Sequence, residues 1–382
     1  MSLFDIYRNL DVFITGHTGF KGAWLALWLS ELGARVHGFS LDPPTRPNLF
    51  DEAHVRERLA SHHLGDVRDY DSLANAIRSV KPEIVLHLAA QALVRKSYHH
   101  PRETYETNVM GTVNLLESIR GVNSVRVCEV VTSDKCYDNK EWVYPYRESE
   151  PMGGADPYSN SKGCAELVVS AYRRSFFPPE NIKSHGVSLS SARAGNVIGG
   201  GDWAEDRIIP DCIRALSKKE SIPVRNPNAI RPWQHVLEPI SGYLHLVAMQ
   251  LSRPVEFADA WNFGPTTTGH LTVQEVVEEV IRCWGEGKWN VVASAAPAVS
   301  ARTGSFHEAT FLKLDIAKAV SCLCWRPVHT ASEAMSETVK WYREQYLQSN
   351  RFSAQKMCLE QIQTYTNLAA QRRIAWADGS MK

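Results

Sequence analysis

The sequence predicts an α/β fold, a doubly wound parallel sheet with a smaller α/β domain closing over it. Three observations predict it. Short apolar runs alternate with helical segments over about the first 190 residues. The first of these runs ends in a glycine-rich turn that opens a helix. After Gly195 the alternation gives way to a stretch punctuated by Gly199, Gly200, Gly201, Pro223, Pro227, Pro232 and Pro239.

Leu10 to Ile14 reads as the first strand, and TGHTGFKG follows it directly. Ala23 to Leu32 reads as an amphipathic helix closed by Gly33, and Arg35 to Phe39 as the second strand. Strand, turn, helix, strand is the unit of a parallel sheet. The pattern then repeats. Asp69 to Val80 is a helix, Glu83 to Leu88 (EIVLHL) a buried strand, and Thr104 to Arg120 a long helix. Val125 to Thr132 is a strand, Tyr158 to Arg174 a helix and Ser184 to Ala192 a strand. The expected division is a sheet domain over 1–194, an interleaved smaller domain over 195–349 and a tail over 350–382. The tail is polar with a weak helical pattern, so loose docking is expected.

Composition excludes several classes. Lys+Arg and Asp+Glu are both 42, a balance without the positive field of a nucleic-acid or anionic-membrane binder. The densest apolar run, Ala23 to Leu29, is far short of the ~20 residues that span a bilayer. The start, MSLFDIYRNLDVF, lacks the basic and apolar regions of a secretory signal, so a cytoplasmic location is expected. The 8 cysteines include no CxxC pair and no zinc-ligand spacing, so reduced, buried thiols and no metal are expected.

Gly16, Gly19 and Gly22 follow the first strand at three-residue spacing. Side chains there would hold a pyrophosphate away from amide N–H groups at the helix N-terminus. This is a variant of the Rossmann-type dinucleotide fingerprint. Asp42, 20 residues past Gly22, suits the ribose hydroxyls of NAD. Arg46 is close enough to hold the 2′-phosphate of NADP. Read alone, the motif also admits, as its lesser reading, a glycine-rich turn without a ligand.

Tyr158 and Lys162, four apart on a helix, project from one face. An ammonium beside a phenol lowers its pKa and makes it a base for a hydroxyl proton during hydride transfer. The pair opens the helix after the strand ending in Thr132-Ser133-Asp134-Lys135, whose residues point into the crevice at the sheet's carboxyl edge.

TGHTGFKG, HLAAQ (87–91), TNVMGT (107–112), TSDKCYDN (132–139) and YSNSK (158–162) resemble the extended short-chain dehydrogenase/reductases that act on nucleotide sugars. AGNVIGGGDWAEDRIIPD (194–211) and RPWQHVLEP (231–239) are similar to the branch that dehydrates CDP-glucose. The resemblance runs to about residue 345. It implies NAD as cofactor and CDP-glucose as substrate. The implied reaction oxidises C4 with Tyr158 as base, eliminates water across C5 and C6, and returns hydride to C6. It implies Ser133 on the C4 oxygen and Asp134 as the acid at C6. Lys135 stands where relatives acting on dTDP- or GDP-sugars carry a glutamate base. It acts there either as a base or as a cation that stabilises the enolate. The cofactor set implied is Gly16, Thr18, Gly19, Phe20, Gly22, Ser40, Asp42, Arg46, Asp66, Val67, Leu88, Ala89, Ala90, Gln91, Thr107, Tyr158 and Lys162. A homodimer through the helices 104–120 and 158–174, or a higher oligomer, is also implied.

A diphosphate substrate needs cations, and guanidinium forks suit it. Arg231 is the leading candidate, followed by Arg225, Arg207 and Arg302, with Asn196, Ser97 and Gln234 added by the resemblance. Trp203 and Trp233 either stack on cytosine or fill a core. The pairs His62-His63 and His99-His100 lack partners at ligand spacing. Glu275, Glu278 and Glu279 read as the solvated face of a helix, and Asn108 as a link between helix and sheet. The rival readings are a nucleotide-sugar 4-epimerase, which needs no elimination pair such as Asp134-Lys135, and a non-catalytic NAD-binding scaffold.

Overall fold

The computed structural model describes residues 3–266, 270–292, 311–347 and 351–378. Seven strands make the central sheet: β1 (Asp11–Thr15), β2 (Arg35–Ser40), β3 (Ser61–Leu64), β4 (Ile84–His87), β5 (Val127–Val131), β6 (Ser188–Ala194) and β7 (Ala260–Phe263). Their order is β7-β6-β5-β4-β1-β2-β3, and every neighbouring pair is parallel. The order reverses between β1 and β4, which opens a ligand crevice at their carboxyl ends. Parallel strands covered on both faces need unbroken apolar runs. Val12, Phe13, Ile14, Ile84, Val85, Leu86, Val127 and Cys128 are accordingly all buried.

One face of the sheet packs Phe13, Val85, Cys128 and Leu189 against Leu73, Ile77, Leu115, Leu116 and Val169 of the helices Tyr70–Val80, Gly111–Arg120 and Pro157–Ser175. The other face carries the helices Phe20–Glu31 and Leu237–Ser252. The expected amphipathic first helix is buried from Gly22 to Leu29 without a polar stripe. It is enclosed by the sheet side and by the helix Ala354–Gln371. Short two-stranded pairs, Val197–Ile198 with Gln234–His235 and Ile230–Pro232 with His270–Thr272, lie over the carboxyl edge.

Several expectations are corrected. Ser184 and His185 belong to a short helix, Ile182–His185, closed by Gly186 at φ 77°, and the strand begins at Ser188. The predicted helix 104–120 is Pro101–Tyr105 and Gly111–Arg120 joined by a π-helical turn, Glu106–Met110. β3 (SHHL) was not predicted, because it is short and polar and its side chains are only half-buried. β7 comes from beyond residue 194 and pairs with β6, so the sheet draws on both regions of the expected division. All 8 cysteines are free, but Cys322 and Cys324 are exposed rather than buried.

The tail departs most from its reading. Ala354–Gln371 is a helix capped by Ser353 that buries Ala354, Cys358, Ile362, Tyr365 and Ala369. Tyr365 donates to the Glu238 carboxylate at 2.8 Å. Trp376 is fully buried and stacks on Phe4, with ring centroids 4.8 Å apart. Spacings of three and four with cysteine, alanine and tyrosine hold the stripe, which polar neighbours dilute in the sequence. Trp376→Ala should therefore cost about 3–5 kcal/mol in denaturant unfolding. A loss below about 1 kcal/mol would restore the loosely docked tail.

Candidate active site

The loop after β1 needs its glycines for different reasons. Gly16 sits at φ 78°, and a Cβ there would lie 2.6 Å from the Ala89 amide nitrogen. The chain leaving β4 therefore passes against it. A Cβ on Gly22 would come within 2.2 Å of the Gly16 carbonyl oxygen. At Gly19 the nearest atom to a Cβ is that same oxygen at 3.4 Å, so this side of the loop is open. Gly19 caps the helix Phe20–Glu31 with no side-chain hydrogen bond, leaving first-turn N–H groups for a ligand. An open cradle at an uncapped helix N-terminus fits a nucleotide diphosphate. Thr18 bonds Ser40 at 2.7 Å and donates to the Leu41 carbonyl, which ties the loop to the end of β2. Asp42 and Arg46 lie exposed just beyond.

Leu88, Ala89, Ala90 and Gln91 leave β4 beside this loop, and Ala89 N–H donates to Thr15 Oγ1. The Gln91 side chain is turned inward, donating to Thr104 Oγ1 and the Leu93 carbonyl and accepting from Leu93 N–H. Asn108, on the π-helical turn beside Thr107, accepts from Gln91 N–H and donates to the Gln91 carbonyl and Ser161 Oγ. It fastens helix to sheet. Asp66 is held by Arg68 and Val67 packs on Gly111, beside an open crevice of about 500 Å³ lined by Asp66, Arg68, Asp69, Glu106 and Met110. Neither Tyr158 nor Asp134 lines that crevice.

The chemically loaded cluster lies past β5. Ser133 is extended and Asp134–Cys136 forms one tight turn, with Ser133 Oγ accepting from Lys135 N–H. Ser133 donates to Asp134 Oδ1 at 3.0 Å. Asp134 is 2% exposed, and its Oδ2 has no hydrogen-bond partner. Burial raises its pKa, against the opposing Lys135 charge, the Ser133 bond and the Arg231 charge. Asp156 caps the helix Pro157–Ser175 by accepting from Ser159 N–H at 2.9 Å, with proline in the first turn. That start turns Tyr158 and Lys162 inward, both buried.

The expected phenol–ammonium pairing is corrected. Burial pushes the Tyr158 phenol up to about 12, against a Ser133 hydrogen bond and the Arg207 charge. Lys162 instead directs Nζ at the Val131 carbonyl, 3.4 Å away, and burial lowers its pKa to about 8. Beneath them, Glu166 and Arg193 form a buried ion pair at 2.7 Å. Glu166 also accepts from Thr132 and Ser191, and Arg193 donates to Tyr137.

The substrate candidates divide. Arg207 reaches the Tyr158 environment while paired with Asp202 at 2.8 Å. Arg231 is buried and its charge acts on Asp134. Asn196 follows Gly195, where a Cβ would lie 3.0 Å from Asp134 Oδ2. Trp203 is a core residue, edge-on to Tyr342 and bonded to Glu52, and Trp233 donates to the Leu271 carbonyl. Arg225 is paired with Asp206 in an exposed bridge. Gln234 donates to the Phe263 carbonyl and Ser97 to the Val94 carbonyl. Arg302 lies outside the described residues. Glu166, Asp202 and Lys21 went unread in the sequence. Lys21 carried a signal, being a lysine in the first turn of an apolar helix, where the dipole disfavours a cation.

Fold and cluster are those of a short-chain dehydrogenase/reductase. A family profile described as GDP-mannose 4,6 dehydratase matches residues 13–338. A CDP-glucose 4,6-dehydratase of Salmonella typhimurium is 52% identical over 340 residues, 89% of this chain and 92% of its own. A GDP-mannose 4,6-dehydratase of Sinorhizobium fredii is 27% identical over 86% of this chain and 95% of its own. The dTDP-glucose 4,6-dehydratase of Streptomyces venezuelae, solved with NAD, aligns with a TM-score of 0.72 at 25% identity, covering 88% and 97%. The chain belongs to the GDP-mannose 4,6-dehydratase family of nucleotide-sugar dehydratases.

Glu166→Gln strands the buried Arg193 charge and should lower unfolding stability by about 3–5 kcal/mol. A change within about 0.5 kcal/mol would show that the pair does not hold the strand ends.

Proposed function

We propose that this chain converts CDP-D-glucose to CDP-4-keto-6-deoxy-D-glucose by oxidation at C4, loss of water across C5 and C6, and hydride return to C6. NAD bound on the glycine loop supplies the hydride acceptor and donor for the two transfers. The observation that carries the dehydratase reading is Asp134, a buried carboxyl with one oxygen on Ser133 and the other unpartnered. Burial raises its pKa, which favours the protonated form that a departing hydroxyl needs. A 4-epimerase has no use for such an acid. Support for CDP-glucose comes from the 52% identical Salmonella relative, and support for NAD from the Streptomyces enzyme solved with it.

Ser133 and Tyr158 share the C4 hydroxyl, and Tyr158 takes its proton. Ser133 and Arg207 favour the phenolate against the burial that opposes it. Asp134 delivers its proton to the C6 oxygen. Lys135, next to Asp134 on the same turn, is assigned to the C5 step. Arg231, Arg207 and Asn196 are assigned to the diphosphate. The loop residues Gly16 to Gly22, with Thr18, Ser40 and Asp42, are assigned to the dinucleotide. A homodimer joining the helices around 101–120 and 157–175 is supported by the exposed Met110 and Leu167 on them and Phe176 at the end of the second. A cytoplasmic site for this chemistry rests on the sequence reading alone.

CDP-glucose deuterated at C4 should lose one water and carry the deuterium to C6, read by mass spectrometry and NMR. An isomer without water loss would establish an epimerase, and no turnover of any nucleotide sugar a scaffold. Asp134→Asn should permit C4 oxidation and stall elimination, leaving the cofactor reduced and fluorescent. Normal product release from that variant would remove Asp134 as the acid. The wild-type elimination should fall as pH rises through the Asp134 pKa, which lies above the ordinary carboxylate range.

A further inference from the structure

Lys21 is the second residue of the helix Phe20–Glu31, on the glycine loop, but its side chain leaves that loop. Nζ donates to the Tyr243 hydroxyl at 3.2 Å and lies 5.5 Å from that ring's centre. Tyr243 stands on the helix Leu237–Ser252, which packs against β5 and β6. The titratable groups facing Lys21 come from three other elements. They are Lys162 on the helix Pro157–Ser175, Arg207 before the helix Ile208–Ser217, and Asp134 on the turn after β5. Behind Tyr243 lies Glu129 of β5, fully buried, with neither carboxylate oxygen hydrogen-bonded and a strongly raised pKa that keeps it neutral. Two of the three are cations, and the helix N-terminus adds a third positive influence. A neutral side chain would fill this place without that cost.

The reading rests on the proposed use of NAD. Hydride leaves the sugar carbon whose oxygen Tyr158 and Ser133 hold, so the nicotinamide ring must stand beside that cluster. Lys162, Arg207 and Asp134 of that cluster already act electrostatically on Lys21. The ring is a cation when oxidised and neutral when reduced. We propose that Lys21 is a redox-biasing charge, which disfavours the oxidised ring relative to the reduced one and so draws the first hydride off the sugar.

Burial among these cations lowers the Lys21 pKa to about 7. The bias is therefore full in mild acid, where the ammonium is charged, and fades as pH rises through neutrality. Bound NAD+ and NADH are titrated separately against the intact protein without substrate. In Lys21→Met at about pH 6, the ratio of the NAD+ to the NADH dissociation constant should fall about tenfold from wild type. In wild type the same ratio should fall several-fold between about pH 6 and pH 8.5. In Lys21→Arg, whose guanidinium stays charged, it should remain high and flat. The wild-type titration needs no variant to fold. A wild-type ratio independent of pH, or one equal in wild type and Lys21→Met, overturns the proposal while leaving NAD as cofactor. Failure of wild type to bind either nucleotide overturns both.

Discussion

The site depends on one buried contact, the ion pair between Glu166 and Arg193. Glu166 stands one turn beyond Lys162 on the helix that carries Tyr158, and Arg193 lies near the end of β6. Thr132 from the end of β5 and Ser191 from β6 also bond Glu166, while Arg193 reaches Tyr137 beyond the Asp134 turn. Four pieces of chain that must converge for chemistry are thus tied below it. Such a pair is weak evidence for stability, since desolvating both ions offsets most of their attraction. Its worth lies in geometry. Moving any one of the four pieces leaves a charge or hydroxyl unpartnered in a dry interior, which is costly.

That same dry interior sorts the ionisable groups. Burial raises Asp134 and Tyr158 and lowers Lys162 and Lys21, all toward the uncharged form. Glu166 is equally buried yet has a lowered pKa, because Arg193 and two hydroxyls reward its charge. Two carboxyls at one strand end therefore behave oppositely. One is held toward its anion by its partners, and the other is shifted toward its protonated form. Environments that push like groups apart mark acid–base assignments.

Sequence made the sheet legible where burial on both faces demanded unbroken apolar runs, as at EIVLHL and VRVCEVVT. It hid β3, whose SHHL is polar, and β7, whose AWNF lies more than sixty residues past its partner β6. The first helix misled for a related reason. Its apolar residues looked like one stripe, and only the elements packed around it, the tail helix among them, show that no face is left for water. Ser133, Asp134 and Tyr158 were legible because strand-end position and helix phase are both written in spacing. Lys162 was found, but not its direction. Whether an ammonium turns to a phenol or to a strand carbonyl depends on what else crowds it.

The tryptophans and arginines weighed as substrate contacts show how much residue type alone leaves open. Trp203 and Arg225 have the chemistry for a nucleotide, yet one is fixed in the core by Tyr342 and Glu52 and the other in an exposed bridge to Asp206. Arg207 and Arg231 differ from Arg225 in what they face, not in kind, since their charges reach Tyr158 and Asp134. The difference traces to backbone placement. Ile230–Pro232 and the segment before Ile208–Ser217 lie over the carboxyl edge of the sheet, where the parallel strand ends already collect the reactive groups. An arginine comes to face this cluster by standing on a segment that crosses that edge, and Gly195 keeps the crossing close by leaving Asp134 room beneath it.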